Sequence, residues 1–328
     1  MKRIAVLTSG GDVPGLNACI RAVTRTALAR GVEVVGVQHG YAGLMRGEMI
    51  TLDSRAVGGV MQRGGTFLGT ARSKVFETAT GQELAVQQLE RAGIEGLIVI
   101  GGDGSLCGAQ ALHELGVPVI GIPKTIDNDQ YGTDISIGVD TALNTIMDAI
   151  GRVKDTASSH HRAFLIETMG HNSGYLALVG GLVSGAELAL IPERPMQPEA
   201  VAAVIERAYR LGKEHCIIVV AEGWRPGIHA LQEHLQQHNS QFLEEQSFDV
   251  REVVLGHVQR GGTPTAFDRM LATRLGVFAT EQLLAGTGDG MMAGLHGNQV
   301  GLVSLREATS RRCELDVELL RLAEMMAS

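Results

Sequence analysis

The chain repeatedly drives a continuous apolar run into a glycine-rich or polar turn: "RIAVLTSGGD", "LIVIGGDGS", "VPVIGIPKT" and "CIIVVAEG". Such runs, rich in Val and Ile and lacking polar alternation, read as strands buried on both faces. Both faces must then be covered by helices, and the intervening stretches have helical spacing. In "ACIRAVTRTALARG" Ile20, Val23 and Ala27 fall on one side and Arg21 and Arg25 on another, with Gly31 as the stop. "GQELAVQQLERAG" is an amphipathic helix ended by Gly93, and "AQALHELG" continues the "GGDGS" turn as another. "VEVVGV" is a further strand. Strand, turn, helix and strand at short intervals predict a doubly wound α/β layer with a mainly parallel sheet. Ligands of such sheets sit outside the carboxyl ends of the strands. The loops after Leu7, Ile100 and Ile122 are therefore expected to converge on one site.

The pattern resumes after Gly138. "VDTALNTIMDAIGRVKD" is a helix, "HRAFLIET" a strand, "SGYLALVGGLVSG" a helix and "ELALIP" a strand. "PEAVAAVIERAYRLGK" is a helix that Pro198 can start. "CIIVVAEG" and "IHALQEHLQQHN" follow as strand and helix, which makes a second α/β unit. "PTAFDRMLATRLGVFATEQLLAG" is a long helix, and "CELDVELLRLAEMM" is another. A chain of 328 residues has room for one large domain or two moderate ones.

The net charge of -8 disfavours a nucleic-acid or anionic-membrane surface, so an anionic substrate would need a local basic cluster. Cys19, Cys107, Cys216 and Cys313 are widely spread with no CxxC pair. They read as reduced, mostly buried thiols of a cytoplasmic protein. "MKRIAVLTSGG" is too short in its apolar part for a signal peptide, and no window approaches a membrane-spanning run.

Gly10, Gly11, Gly101, Gly102 and Gly104 allow backbone close to a phosphate and tolerate the positive φ of an amide nest. Any one such pair is equally a tight turn. There is no GxxxxGK[ST], which excludes a P-loop, and no GxGxxG follows the first strand. Asp103 at a strand end is well placed for Mg²⁺ on a polyphosphate. In "PKTIDND", Asp127 and Asp129 would point the same way on an extended segment, one as base and the other near metal. An Asx-rich turn is the structural alternative. Arg63, Arg72, Arg162, Arg251, His257 and Arg260 lie beside turns or strand starts, where an acidic protein would gather phosphate-binding charge.

The motifs "LTSGGDVPGLNA", "RGGTFLGTAR", "IGGDGS", "PKTIDND", "DTASSHHR", "ETMGHNSGYLAL", "AEGW" and "GHVQRGGTPTAFDR" span Leu7 to Arg269. In this order they resemble the phosphofructokinase family. The resemblance implies two doubly wound, Rossmann-like α/β domains with the active site in the cleft between them. The larger, nucleotide-binding domain would take 1–138 plus about 257–308. The smaller, fructose 6-phosphate-binding domain would take 139–256 plus 309–328. It implies transfer of the γ-phosphate of ATP, with Mg²⁺, to the 1-hydroxyl of fructose 6-phosphate, the committed step of glycolysis.

By the same resemblance Asp127 is the base, with Arg72 and Thr125 as catalytic partners. Gly11, Arg72, Gly102, Asp103, Gly104 and Ser105 bind the nucleotide, and Asp103 takes the metal. Thr125, Asp127, Asp129, Met169, Gly170, Glu222, His257 and Arg260 bind the sugar phosphate. Arg162 and Arg251 would reach the 6-phosphate from a neighbouring subunit of a homo-oligomer, by family habit a tetramer. His171 stands where many relatives carry Arg.

Pyrophosphate users of the family typically have Asp at the position of Gly104, where a carboxylate would crowd and repel a nucleotide α-phosphate. Lys124 is common in those enzymes, whereas bacterial ATP users usually have Gly there. Steric exclusion outweighs one added cation, so the mixed pair Gly104 and Lys124 favours ATP. The alternatives are a pyrophosphate-dependent enzyme, a sedoheptulose 7-phosphate-preferring kinase and an inactive sugar-phosphate sensor. Arg21, Arg25, Gly185, Glu187 and Lys213 match the family's ADP and phosphoenolpyruvate pocket. Lys154 replaces an Arg there, and Ser54, beside Arg55, stands where an Arg is usual.

Overall fold

A computed structural model describes residues 1–160, 162–239 and 248–326. His161 of the "DTASSHHR" motif lies outside the described residues. In chain order the elements begin β1 (Arg3–Thr8), α1 (Leu16–Leu28), β2 (Glu33–Val37), α2 (Gly40–Arg46) and β3 (Met49–Thr51). There follow α3 (Ala79–Arg91), β4 (Gly96–Gly101), α4 (Asp103–Glu114), β5 (Val119–Pro123), α5 (Val139–His160) and β6 (Arg162–Thr168). Next come α6 (Tyr175–Ser184), β7 (Leu188–Leu190), α7 (Pro198–Arg210), β8 (Cys216–Ala221), α8 (Ile228–Asn239) and β9 (Asp249–Val254). The rest are α9 (Ala266–Ala285), β10 (Met291–His296), β11 (Gln299–Ser304), α10 (Leu305–Ser310) and α11 (Val317–Met326).

Two compact units result, Met1–Thr141 with Arg260–Cys313, and Ala142–Gln259 with Glu314–Ser328. The first holds a sheet ordered β11-β10-β5-β4-β1-β2-β3. Its central strands are parallel, while β3 and β11 pair antiparallel at the two edges. The chain leaves β1 for β2 on one side and returns to β4 on the other. The carboxyl ends of β1 and β4 thus flank the point where strand order reverses, the place such sheets open a crevice. The second sheet, β7-β8-β6-β9, is parallel throughout, with a similar reversal at β6.

The apolar runs form the strands expected of them. Every residue of β4 and of β5 is buried. On one face Leu7, Leu97 and Val99 pack with Leu106, Leu112 and Phe76. The alternate residues Ile4, Val6, Ile98 and Ile100 are equally buried, on the face where α1 and α9 lie. Gly276 brings those two helices together, since a Cβ there would lie 2.9 Å from the Cβ of Ala22. The second unit is centred on Leu165, Ile205, Ile218, Val220, Trp224 and Leu231. Among the described residues no helix is long and apolar enough to cross a membrane.

Several expectations need correction. "GGDGS" is not a loop. Gly101 ends β4, Gly102 caps α4, and Asp103, Gly104 and Ser105 already form its first turn. Of the five glycines read as a nest, Gly10 alone has a positive φ, 83°. "TIDND" is not extended either, because it bends at 126–127 and Asn128 is left-handed at φ 48°. No disulfide joins the described cysteines, but Cys107 and Cys313 are exposed, so only half of the thiols are buried. α2, β3, β9, α10 and the β10–β11 hairpin add to the elements expected from the apolar runs.

Asp268 ties two helix starts together. Thr265 caps α9 by accepting the Asp268 amide. The Asp268 carboxylate, fully buried, accepts from the amides of Gly138 and Thr141, each at 2.8 Å, where α5 begins. It also accepts from the Thr141 hydroxyl. Burial pushes this carboxyl up, and the hydrogen bonds pull it back. Asp268→Ala strands buried donors, and each unsatisfied group costs about 1–3 kcal/mol. We expect a loss of roughly 3 kcal/mol in urea unfolding. A loss below about 1 kcal/mol would show that the helix starts do not depend on it.

Candidate active site

In the first unit the ends of β1, β4 and β5 are stitched by backbone. The Ser9 amide donates to the Ile100 carbonyl at 3.1 Å, and the Lys124 amide donates to that of Gly101 at 3.0 Å. The "RGGTFLGTAR" segment is pinned beside them. Asn17 binds the carbonyls of Arg63 and Gly64 and the amide of Phe67. The Thr70 hydroxyl donates to the Gly10 carbonyl at 2.7 Å, which pins the segment to the glycine turn two residues before exposed Arg72. The convergence expected of the three loops is therefore present.

The N-terminus of α4 faces this point. Its first-turn amides and dipole favour an anion. Asp103 and Gly104 are exposed there, whereas Ser105 is buried. A Cβ at Gly104 would meet nothing within 4 Å, so this side of the turn is open. The turn is supported from below by Tyr41, whose hydroxyl donates to the Ser105 carbonyl at 2.6 Å and whose ring stacks on Phe76. No sequence signal marked that pair, which lies far from "GGDGS" in the chain.

Among the described residues no three His, Cys, Asp or Glu side chains gather as a metal cage. Asp103 is instead a single exposed carboxylate beside an anion-binding helix end. That donor set fits Mg²⁺, which takes one or two carboxylates and completes its shell with phosphate oxygens and water.

Along the segment after β5, Thr125, Asp127 and Asp129 are half-buried while Ile126, Asn128 and Gln130 are buried. Both aspartates keep part of their surface accessible, while one carboxylate oxygen of Asp127 is buried. The Asn128 side chain accepts from the Ser136 amide at 3.0 Å and donates to the Asp134 carbonyl. The Thr125 hydroxyl accepts from the Asp127 amide at 3.1 Å. Asn128 thus fixes the path of this segment, and no sequence signal marked it.

Lys124 is 3% exposed, and its ammonium donates to the Gly11 carbonyl. Burial pulls its pKa down to about 8. The Arg260 charge adds to that shift, while Asp127 and Asp12 oppose it. Arg260 itself donates to the Asp12 carbonyl at 3.5 Å.

In the second unit Met169 and Gly170 follow β6, and Glu222 follows β8. The Glu222 carboxylate accepts from the amides of Gly170 at 3.2 Å and His171 at 2.6 Å. The buried Gln259 accepts from the Met169 amide. Gly170, at φ 142°, could carry no side chain, because a Cβ would lie 2.3 Å from the Ser173 carbonyl oxygen. His171 is exposed with φ 52°, and His257 is exposed in the short turn Gly256–Arg260.

Arg162 and Arg251 form a separate group. Asp249 lies directly opposite Arg162 in the β6–β9 ladder. Its carboxylate binds Arg162 at 2.8 Å and Arg251 at 2.9 Å. Asp249 was not foreseen, because nothing in "DVREVV" reveals which strand lies alongside. Arg162 starts β6 and Met169 follows its end, so they stand roughly 20 Å apart along the strand.

Of the effector-pocket matches, Lys154 donates to the Ser184 and Gly185 carbonyls at the end of α6, and Lys213 pairs with Glu187 at 3.3 Å. Arg25 donates to the Ser54 carbonyl.

The pKa of Lys124 makes stability depend on pH. An unfolded lysine titrates near 10.5, above the folded value of about 8. Between these values the unfolded chain binds the proton and the folded chain does not, so stability rises with pH. Below about 8 the folded chain bears the full cost of the buried charge. Relative to Lys124→Met, the wild type should therefore gain several degrees in Tm between pH 7 and pH 10. Calorimetric curves that keep a constant separation would contradict this.

The family model for phosphofructokinase matches residues 3–283. An ATP-dependent 6-phosphofructokinase 1 of Thermus thermophilus is 52% identical over 333 residues, covering all of both chains. One from Thermotoga neapolitana is 50% identical over 328 residues, again covering all of both chains. Among solved structures, a Pichia pastoris phosphofructokinase superposes with a TM-score of 0.86 at 36% identity, over 94% of this chain and 35% of its own. A pyrophosphate-dependent phosphofructokinase from Marinobacter aquaeolei gives 0.87 at 21% identity, over 100% of this chain and 91% of its own, a likeness of fold.

Proposed function

The chain belongs to the phosphofructokinase family, and we propose that it transfers the γ-phosphate of ATP to the 1-hydroxyl of fructose 6-phosphate. The observation that carries this reading is the open first turn of α4. Its amides, Asp103 and the side-chain-free Gly104 stand where β1, β4 and β5 end together.

Phosphoryl transfer asks mainly for positioning and for neutralisation of spread negative charge. The α4 amides and Gly11 would hold the donor phosphates, with Gly102, Gly104 and Ser105 lining the nucleotide side. Asp103 would hold Mg²⁺, which when bound supplies charge neutralisation on the phosphates. Arg72 would offset charge on the transferred group. Asp127 would accept the proton of the attacking hydroxyl, and Thr125, Asp129 and Arg260 would position the sugar. In the second unit Met169, Gly170, Glu222 and His257 would hold the sugar phosphate. The first unit is thus read as the nucleotide-binding domain and the second as the fructose 6-phosphate domain, in a cytoplasmic enzyme.

Arg162 and Arg251 would serve the 6-phosphate of a neighbouring subunit in a homotetramer. Their distance from Met169 along β6 supports this, because a small sugar phosphate held at Met169 cannot reach them within one chain.

Asp127→Ser should lower kcat by about 10²–10⁴-fold with a smaller change in sugar binding. If Arg162 serves a neighbour, mixing this variant with Arg162→Ala should restore part of the activity. An unchanged kcat in the first variant would sink the base assignment.

Gly104→Asp tests the donor. The added side chain enters open space, so the fold should be kept, with a stability change within about 0.5 kcal/mol. ATP-dependent turnover should fall by about 100-fold or more through like-charge repulsion with the donor phosphates. Retained ATP turnover would refute the steric argument, and activity with pyrophosphate alone in the wild type would favour the pyrophosphate reading.

A further inference from the structure

The turn "SGGD" carries paired glycines, and the structure gives each a specific neighbour. A Cβ on Gly10 would come within 3.2 Å of the Lys124 ammonium, at a φ of 83° that already disfavours any side chain. A Cβ on Gly11 would come within 2.5 Å of the Arg260 guanidinium. Both cations turn toward the same stretch of backbone. Lys124 donates to the carbonyl of Gly11, and Arg260 donates to the carbonyl of Asp12.

A peptide group is planar, so fixing a carbonyl fixes the direction of the amide across the same bond. Holding the Gly11 carbonyl sets the Asp12 N–H, and holding the Asp12 carbonyl sets the next one. We infer that Lys124 is a positioning residue for the phosphate donor, acting with Arg260 as a two-cation clamp on the "GGD" turn. The inference rests on the donor-site reading of that turn.

Lys124 stands buried behind the turn, with its ammonium committed to backbone, rather than exposed as a contact for a free pyrophosphate. A side chain at Gly11 would push the Arg260 guanidinium aside, and one at Gly10 would crowd the Lys124 ammonium at a φ that favours glycine. The clamp also leaves positive charge behind the turn, with Asp12 and Asp127 as the nearby carboxylates that offset part of it. Its presence in a chain with Gly104 then needs no appeal to a second donor.

The test uses Lys124→Met and Lys124→Gly, each with thermal unfolding to establish that the variant folds. Hydrogen exchange is followed without ligand in peptides covering residues 9–14. We expect exchange there to quicken at least several-fold in both variants. In steady-state kinetics KM for ATP should rise about tenfold or more, with KM for fructose 6-phosphate within about twofold and kcat changed by less. Unchanged exchange together with an unchanged KM for ATP overturns the clamp. Loss of pyrophosphate-dependent turnover with unchanged ATP kinetics also overturns it, because Lys124 would then be a direct pyrophosphate contact. A wild-type protein without ATP turnover overturns the donor reading instead. The exchange measurement, made without ligand, still decides whether the clamp exists.

Discussion

The common register of β1, β4 and β5 is the constraint on which the first unit depends. The three strands are parallel neighbours, and each is buried along nearly its whole length. Buried backbone groups must be paired, so the strands must end together or leave costly orphans. The bonds from Ser9 to Ile100 and from Lys124 to Gly101 continue that pairing one step past the sheet. The glycine turn, the start of α4 and the aspartate segment are thereby delivered to one place. A chemical site is a by-product of closing the ladder, and the residues that specialise it hang on short connections.

The strands and most helices were legible because burial on both faces leaves an unmistakable apolar run. What escaped was short or depended on partners remote in sequence. In the β10–β11 hairpin β10 is largely buried but broken by Gly294 and β11 is mostly half-buried, and the register is fixed by the sheet edge they join rather than by their own pattern. "GGDGS" was read as a loop because glycine and aspartate favour turns. Tertiary support from Tyr41 and the β4 strand end instead lets the helix start at Asp103.

The candidate site was legible in its proposed functional groups and not in what holds them. Asp127, Asp103 and the glycines are visible as motifs. Asn128, Tyr41 and Asp249 act through contacts across the chain, to Ser136, to Ser105 and to Arg162. An asparagine between two aspartates looks like more of the same polar turn. Only the fold shows that its side chain is occupied with Ser136 and Asp134, which fixes the path of the segment carrying both aspartates.

Lys124 shows how these demands compete. An ammonium that is 3% exposed, with its pKa pulled down to about 8, is a poor choice for stability alone, since burying a charge is costly unless it is well paired. A methionine would fill similar space without that cost. Its ammonium donates to the Gly11 carbonyl in the glycine turn, and not to a carboxylate. A carboxylate partner would neutralise the charge and make the burial cheaper, yet it would also place negative charge beside an anion site. Pairing with a backbone carbonyl keeps the charge positive and the turn rigid together. The same logic separates this lysine from Arg162 and Arg251, which share Asp249. Those two are held by a carboxylate on the strand alongside, whereas the Lys124 ammonium is held by backbone, with Asp12 and Asp127 as nearby charges.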